Sequence, residues 1–347
     1  MMQARGIDIV TIGFVFASMP MIFQVGRMFS AIVSDFWGRK LFFALNGIAG
    51  TITNLIYYLA NTPLEFLFGK VTEGTKEASL WAVNRAFMLE NNEKKWRALV
   101  TLRTVVYFSS AFGSLVAGFL VVWLFYEGTL MLCAATMALI VPLSLFLAGR
   151  RREKLNIKKA LNILDFRKKD KIFKIFFGLF LIMGLSFGFV SGFVYPLFLG
   201  KNGFNAETIG VLLGLQILLA GLVSHLFANR SEVGRLILFS GVLYTFALIS
   251  IGFSSSIFSG ILVVAYGFVE GLLAIGQEGI VSMITRKESY GTDIGLLWMG
   301  HHLGRTFSLA FSGLVISIWG FAAPFLISAL VFTLFYVSSY VILRTRR

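Results

Sequence analysis

The sequence has little charge and few residues that break helices or cross-link chains. Of its 347 residues, 14% are charged, five are proline and one is cysteine. A single cysteine, Cys133, excludes an intrachain disulfide. The sequence has no Gly-x-x-x-x-Gly-Lys-[Ser/Thr] phosphate loop, no His-Glu-x-x-His and no Cys/His spacing typical of a metal site. We therefore expect no enzymatic activity, no metal and no cofactor.

Long apolar runs dominate the chain instead. Hydrophobic residues make up 57% of it and the mean hydropathy is +0.82, more than the core of a soluble domain holds. A helix of about 20 apolar residues crosses a bilayer. The runs predict an all-α polytopic membrane protein with eleven transmembrane helices. The predicted spans are 9–33, 41–60, 64–88, 99–125, 130–148, 172–199, 208–228, 236–253, 257–284, 295–317 and 322–343.

The basic residues are concentrated in alternate loops. The net charge is +14, and residues 149–174 contain eleven Lys and Arg against three Asp and Glu. The loops on the opposite side of the spans carry one lysine, a pattern that follows the positive-inside rule. We therefore expect no nucleic-acid partner. We expect the protein to lie in the plasma membrane, with the central loop (149–171) and the C-terminus in the cytoplasm.

An internal repeat divides the chain. The segment GIDIVTIG at 6–13 returns as GFNAETIG at 203–210, at an offset of 197 residues. The same offset aligns Glu73 with Glu270 and Asp35 with Glu232. Two homologous bundles joined by a loop are typical of secondary transporters. The repeat predicts an N-terminal helical bundle at 1–148 and a C-terminal helical bundle at 172–347.

The two halves differ by one predicted helix. The second half has the span 172–199 ahead of its copy of the repeat, whereas five residues precede the first copy. Either the natural start of the protein lies upstream or the first helix has been lost. We expect the former.

A charged glycine turn with the residues Asp35, Gly38, Arg39 and Lys40 follows the first span. It resembles the hallmark turn of the major facilitator superfamily, G-x-L-x-D-R-x-G-R-K, with the D-x-x-G-R-K core intact and the first Gly and first Arg replaced. The apolar spans, the basic loop and the repeat extend this resemblance over nearly the whole chain. The resemblance implies a two-bundle transporter that lacks family helix one, and a turn that governs the change between outward-facing and inward-facing states. The alternative is that the basic residues of the turn only fix the topology of the helices in the membrane. The turn residues are Asp35, Gly38, Arg39 and Lys40, with a shorter second copy at Glu232, Gly234 and Arg235.

Ionisable residues lie inside the third span, which the resemblance identifies as family helix four. At about 100° per residue, one helix face collects Lys70, Glu73, Glu77 and Trp81. Charges at membrane depth are rare and mark transport pathways. We expect Lys70 and Lys76 both to pair with Glu73, which leaves Glu77 the least compensated and the first candidate proton carrier. The alternative is a structural ion cluster.

The repeat-related span, 257–284, offers Glu270, Gln277 and Glu278 to the same pathway. Glu270 and Gln277 share a face of the helix. Arg103 lies near the cytoplasmic end of its span, where we expect it to anchor the helix. We expect His301 and His302 to be packing residues.

The combined reading is a secondary active transporter, or permease, that moves a small solute by alternating access and is coupled to protons. We expect a monomer in the bilayer. The balance of lysines and glutamates does not reveal the substrate. The alternative is a transport-inactive membrane sensor or interaction protein derived from the same fold.

Overall fold

The computed structural model describes residues 1–37, 39–90, 95–147, 166–227, 232–285 and 290–345. These residues form helices and no strand, which confirms the predicted all-α fold. Short 3-10 helices lie at Gln3–Arg5 and Phe166–Lys168. The α-helices are α1 (Ile9–Trp37), α2 (Arg39–Leu59), α3 (Pro63–Glu90), α4 (Lys95–Leu145), α5 (Lys171–Val190), α6 (Val194–Lys201), α7 (Ala206–Leu226), α8 (Val233–Phe253), α9 (Ser256–Ile284), α10 (Tyr290–Trp319) and α11 (Ala322–Thr345).

The predicted spans agree with these helices, apart from two interruptions. Phe125, inside α4, has a non-helical φ of 56° and ψ of −178°, so the predicted spans 99–125 and 130–148 are the two parts of α4. The predicted span 172–199 is interrupted where α5 ends at Val190 and α6 begins at Val194. Between them Gly192 has a φ of 68°, a left-handed conformation that glycine adopts without steric cost.

Eight helical segments of the described chain are long and apolar enough to cross a membrane. The eight include residues 101–145 as one segment and omit α3 and α10. α3 is omitted because of its ionisable residues, and α10 because it is less apolar. With these two helices and both parts of α4, the structure contains the eleven predicted spans.

The chain forms two compact units. The first contains Met1–Leu102 and Leu124–Arg167, and the second contains Arg103–Trp123 and Lys168–Arg347. In the first unit α3 packs against α1 and α2; in the second, α10 packs on α5, α11 on α8, and α9 on both α7 and α8. Residues 103–123 of α4 belong to the second unit, and they pack closely on α7. The predicted bundle boundaries at 148 and 172 follow chain order and stay a prediction.

The repeated segments have the same local structure. Asp8 precedes α1, and its Oδ1 accepts the backbone N–H of Thr11 at 2.9 Å. Asn205, at the corresponding position, caps α7 and accepts the backbone N–H of Thr208 at 2.8 Å. A side-chain oxygen at this position satisfies an N–H that the first helical turn leaves free. The repeat in the sequence is therefore a repeated helix start.

Glycines allow α5 and α10 to pack closely. A Cβ atom at Gly184 would overlap the backbone carbonyl of His301, and one at Gly188 would overlap Ser308. Gly304 of α10 meets the backbone of Leu181 in the same way. Small residues at such contacts let helix backbones approach within a membrane.

Candidate functional site

A lysine, a glutamate and a tyrosine form the first polar cluster, on α3 and α2. Lys70 Nζ lies 2.6 Å from Oε2 of Glu73, which confirms the predicted pair. The hydroxyl of Tyr57 donates to the same oxygen at 2.6 Å. The Lys70 ammonium also lies 4.1 Å from the ring centroid of Phe16, a cation–π distance. Glu73 is thus held by one cation and one hydroxyl donor.

Glu77 is paired as well, which corrects one prediction. Lys76 Nζ lies 2.8 Å from Oε1 of Glu77, so Lys76 pairs with Glu77 rather than with Glu73. The indole Nε1 of Trp81 donates to Oε2 of Glu77 at 2.8 Å. Adjacent residues meet here because both side chains are long enough to turn toward each other. Glu77 is therefore not the least compensated carboxylate of this face of α3.

Glu270, in the middle of α9, has a different kind of partner. The amide Nε2 of Gln216 in α7 donates to its Oε2 at 2.6 Å. Among the residues that the structure describes, the carboxylate of Glu270 forms no ion pair with a lysine, arginine or histidine. Its repeat counterpart Glu73 has Lys70, so the two corresponding glutamates differ in electrostatic environment.

Glu278 lies two turns further along α9 and pairs with a cation from α4. Arg103 Nη1 lies 2.9 Å from Oε1 of Glu278 and 3.5 Å from the carbonyl oxygen of Ala274. Its Nη2 donates to the hydroxyl of Tyr107 at 3.4 Å. Arg103 thus joins α4 to α9 rather than only anchoring one helix end. Gln277, which precedes Glu278 in the chain, is buried at 7% exposure.

A buried hydroxyl and ring cluster lies in the second unit. Ser186 and Ser328 Oγ atoms are 2.9 Å apart, and the hydroxyl of Tyr244 lies 3.2 Å from Ser328. The ring of Tyr266 lies 5.7 Å from that of Tyr244 and 5.9 Å from that of Tyr195. These contacts tie α5, α6, α8, α9 and α11 together.

The two histidines of α10 lie among aromatic rings. His301 is 8% exposed and its ring lies 5.2 Å from that of Trp298 and 5.7 Å from that of Phe187. The ring of His302 lies 6.4 Å from that of Trp298. This environment agrees with the packing role expected of them.

The basic residues of the glycine turn bond to other residues of the first unit. Arg39, at 9% exposure, donates to Oγ of Ser34. The ammonium of Lys40 donates to the carbonyl oxygen of Leu145, the last residue of α4. A cation there is favourable because the carbonyls at a helix C-terminus carry partial negative charge. Gly38 and the side chain of Asp35 lie outside the described residues.

The second copy of the turn is different. Glu232 and Arg235 form an ion pair of 2.8 Å at i,i+3, with side-chain exposures of 47% and 75%. Gly234 lies in the first turn of α8. An exposed pair of this kind contributes little to stability.

No group of His, Cys, Asp and Glu side chains suited to a metal ion occurs within the described ranges. The sequence model of the family described as the Major Facilitator Superfamily matches residues 1–277 of the 347. The chain belongs to the Major Facilitator Superfamily. It is therefore a multi-pass membrane protein of a transporter family, and the resemblance found in the sequence is confirmed.

Known superfamily members resemble the chain at low identity. The uncharacterized MFS-type transporter YuxJ of Bacillus subtilis (strain 168) is 27% identical over 147 residues, which are 41% of this chain and 37% of that protein. The chain thus aligns with little more than a third of that relative's length. A crystal structure of a mutant of the nucleoside transporter NupG has a TM-score of 0.79 at 16% identity, covering 97% of this chain and 92% of that one. The human organic anion transporter MFSD10 (TETRAN) has a TM-score of 0.69 at 16% identity, covering 94% and 82%. These two structures show the fold.

The structure adds two residues, Gln216 and Tyr57, to the site residues predicted from the sequence. Gln216 is an amide within an otherwise apolar span, a signal that the sequence does contain. Tyr57 gave no such signal, because a tyrosine near a helix end is common at membrane interfaces. Its bond to Glu73 depends on how α2 packs against α3.

Proposed function

We propose that the protein is a secondary active transporter that moves a small solute by alternating access and couples this movement to protons at Glu270. Membership of a transporter family supports transport. The fold supports alternating access, because solved structures of the nucleoside and organic anion transporters share it. The choice of Glu270 rests on the partners of the four glutamates Glu73, Glu77, Glu270 and Glu278, which we call the pathway carboxylates.

A single observation distinguishes Glu270 from the other pathway carboxylates. Glu73, Glu77 and Glu278 each have a lysine or arginine nitrogen within 2.9 Å. Glu270 has the neutral amide of Gln216. A charged carboxylate away from water is costly unless a cation compensates it, and binding a proton removes the cost. Glu270 can therefore exchange a proton with a smaller penalty than the other three pathway carboxylates.

The ion-paired residues have a different part in this account. The solute and proton pathway is lined by four side chains whose charges stay compensated, Lys70, Glu73, Glu77 and Glu278, and by the neutral side chains of Trp81 and Gln277. Arg39 and Lys40, with Asp35 and Gly38, act as the conformational switch, and Glu232, Gly234 and Arg235 are its weaker second copy. The protein is a monomer of the plasma membrane, with the central loop and the C-terminus in the cytoplasm, as the basic loops predict.

Transport assays in proteoliposomes test the proposal. The full chain is reconstituted with a pH-sensitive dye inside the vesicles, and uridine, p-aminohippurate, tetraethylammonium and a hexose are added in turn. The first two probes follow from the nucleoside and organic anion transporters that share the fold. We expect one class of solute to move protons with it.

Two Glu→Gln variants separate coupling from folding. Glu270→Gln should abolish solute-dependent proton movement while exchange of labelled for unlabelled solute persists. Glu207→Gln, in the first turn of α7, is the matched control and should behave as the natural protein. Proton movement of the usual size in Glu270→Gln would reject this residue as the coupling site. Failure of every solute class to move would favour the transport-inactive sensor.

A further inference from the structure

Gln216 is unlike the partners of the other pathway carboxylates. The residue is 8% exposed, and its Nε2 donates to Oε2 of Glu270 at 2.6 Å. The ammonium and guanidinium groups that face the other three carboxylates have donors only. The primary amide of glutamine carries two N–H donors and one carbonyl acceptor at the end of the same arm.

This difference matters when a carboxylate takes up a proton. A carboxylate accepts hydrogen bonds only, whereas a carboxylic acid also donates one. A lysine or arginine cannot accept that O–H, so protonation would leave a donor facing a cation. A half-turn of the glutamine amide about its last side-chain bond exchanges Nε2 for Oε1. A separation of 2.6 Å then suits an O–H···O bond as well, since such bonds lie at about 2.5–3.0 Å.

We propose that Gln216 is a positioning residue that serves Glu270 in both protonation states. It donates an N–H to the carboxylate and, after the amide turns, accepts the O–H of the carboxylic acid. The proton arrives from water on one side of the membrane, forms the O–H bond of Glu270 and leaves to water on the other side. This inference rests on the proposed protonation of Glu270.

Four titratable groups lie close enough to Glu270 to interact with it electrostatically. They are Arg103 from α4, Tyr195 from α6, Tyr244 from α8 and Tyr266 one turn away on α9. Arg103 lies 2.9 Å from Glu278, and Tyr244 lies 3.2 Å from Ser328. In the part of the chain that the structure describes, Gln216 is the side chain that hydrogen-bonds to Glu270.

The first half of the chain offers a natural comparison. At the repeat offset of 197 residues, Gln216 of α7 corresponds to Met19 of α1. Methionine has no strong donor or acceptor. Glu73, the counterpart of Glu270, is held instead by Lys70 and Tyr57. In the first half the glutamate therefore faces a cation, Lys70. In the second half its counterpart faces an amide, Gln216, which can turn to donate or to accept a hydrogen bond.

Infrared spectroscopy of the full chain in lipid tests this role without a known substrate. Acid-minus-neutral difference spectra contain a carboxylic-acid carbonyl band for every carboxylate that becomes protonated. Glu270→Gln identifies the band of Glu270 by its loss. Glutamine labelled with ¹³C at the side-chain amide reports a change in Gln216. We expect the glutamine signal to appear together with the Glu270 band.

Substitutions at Gln216 give the decisive comparison. In Gln216→Met, of similar size, the glutamine signal should vanish and the Glu270 band should move to the position of a carboxylic acid without a hydrogen-bond partner. In Gln216→Lys the Glu270 band should be absent at the pH at which Glu270 of the natural protein is half protonated. An ammonium group stabilises the carboxylate and cannot accept the O–H of the carboxylic acid. Gln24→Met, another buried glutamine, is the control and should change neither signal.

The possible failures are distinguishable. A lower thermal stability of Gln216→Met with an unchanged Glu270 band and glutamine signal would mean that Gln216 only holds α7 to α9. An unchanged titration of the band in Gln216→Lys would also overturn its role, while the proposed proton site would stand. Absence of any Glu270-dependent band would overturn that site, and the role of Gln216 with it.

Discussion

Arg103 Nη1 lies 2.9 Å from Oε1 of Glu278, and this ion pair joins residues 175 positions apart in the chain. Both side chains are about 30% exposed, at 31% and 27%. The pair therefore lies at the boundary of the packed interior of the second unit, where each charge depends on the other for compensation. This unit thus contains one compensated ion pair, Arg103 with Glu278, and one carboxylate beside an amide, Glu270 with Gln216.

Removal of both members of this pair should cost less stability than the two single removals added together. Arg103→Gln or Glu278→Gln leaves a charge uncompensated and should lower the free energy of unfolding by about 1–3 kcal/mol. The double variant should lose less than the sum of the two single losses, with a coupling energy of at least about 0.5 kcal/mol. Unfolding of the detergent-solubilised protein measures all four values. Additive losses would show that the pair contributes nothing.

Glu73 and Glu270 should respond differently to the same substitution. Glu73→Gln leaves the Lys70 ammonium without its carboxylate and should lower the free energy of unfolding by about 1–3 kcal/mol. Glu270→Gln replaces a carboxylate–amide bond with an amide–amide bond and should change stability by less than about 1 kcal/mol. Unfolding midpoints of the two variants measure the difference. Equal losses would contradict the contrast between these two repeat-related sites.

Close packing of α5 on α10 predicts a third difference. A Cβ at Gly184 would overlap a backbone carbonyl, whereas nothing lies within 4 Å of the corresponding position at Gly178 in the same helix. Gly184→Ala should destabilise the protein by about 1–3 kcal/mol because backbone cannot move aside cheaply. Gly178→Ala, its matched control, should be neutral or stabilise by up to about 1 kcal/mol. Similar thermal stabilities for the two variants would contradict the packing.

The start of α1 should be sensitive to acid and the start of α7 should not. The hydroxyl of Thr11 donates to Asp8 and, with the backbone N–H groups, lowers the pKa of that carboxyl below its usual value. A lowered pKa means that the cap stabilises the helix start above the ordinary pKa of aspartate, about 3.9, and that this stabilisation is lost as the pH falls through the lowered value. Asn205 does not titrate.

Hydrogen exchange of the segments 8–15 and 205–212 checks this, with exchange times corrected for the intrinsic pH dependence. Only the first segment should lose protection at low pH, and Asp8→Asn should remove the effect. Parallel loss of protection in both segments would mean that the acid acts elsewhere than on the cap.

The fold was accessible from the sequence because hydrophobicity determines which segments cross a membrane. The spans, the repeat and the turn at Arg39 and Lys40 follow from local patterns, as does the i,i+3 pair of Lys70 with Glu73. The interruption at Gly192 was missed because a single glycine within an apolar run does not distinguish a break from a packing contact.

The partners of the carboxylates were less accessible. Lys76 lies next to Glu77 in sequence and three residues from Glu73, and helical spacing alone favoured the wrong partner. Arg103 with Glu278 and Gln216 with Glu270 depend on which helices pack together, and no local pattern reports this. The sequence therefore located four glutamates within apolar spans, and the structure gives the partners that distinguish them.

A proton-binding titration of the purified protein tests the central claim most directly. The natural protein and Glu270→Gln are titrated in detergent across the physiological pH range, with the double variant Lys70→Met, Glu73→Gln as the control for loss of a paired carboxylate. We expect the natural protein to bind one proton per chain more than Glu270→Gln in this range, and the same number as the control. Identical proton uptake by the natural protein and Glu270→Gln would contradict the account.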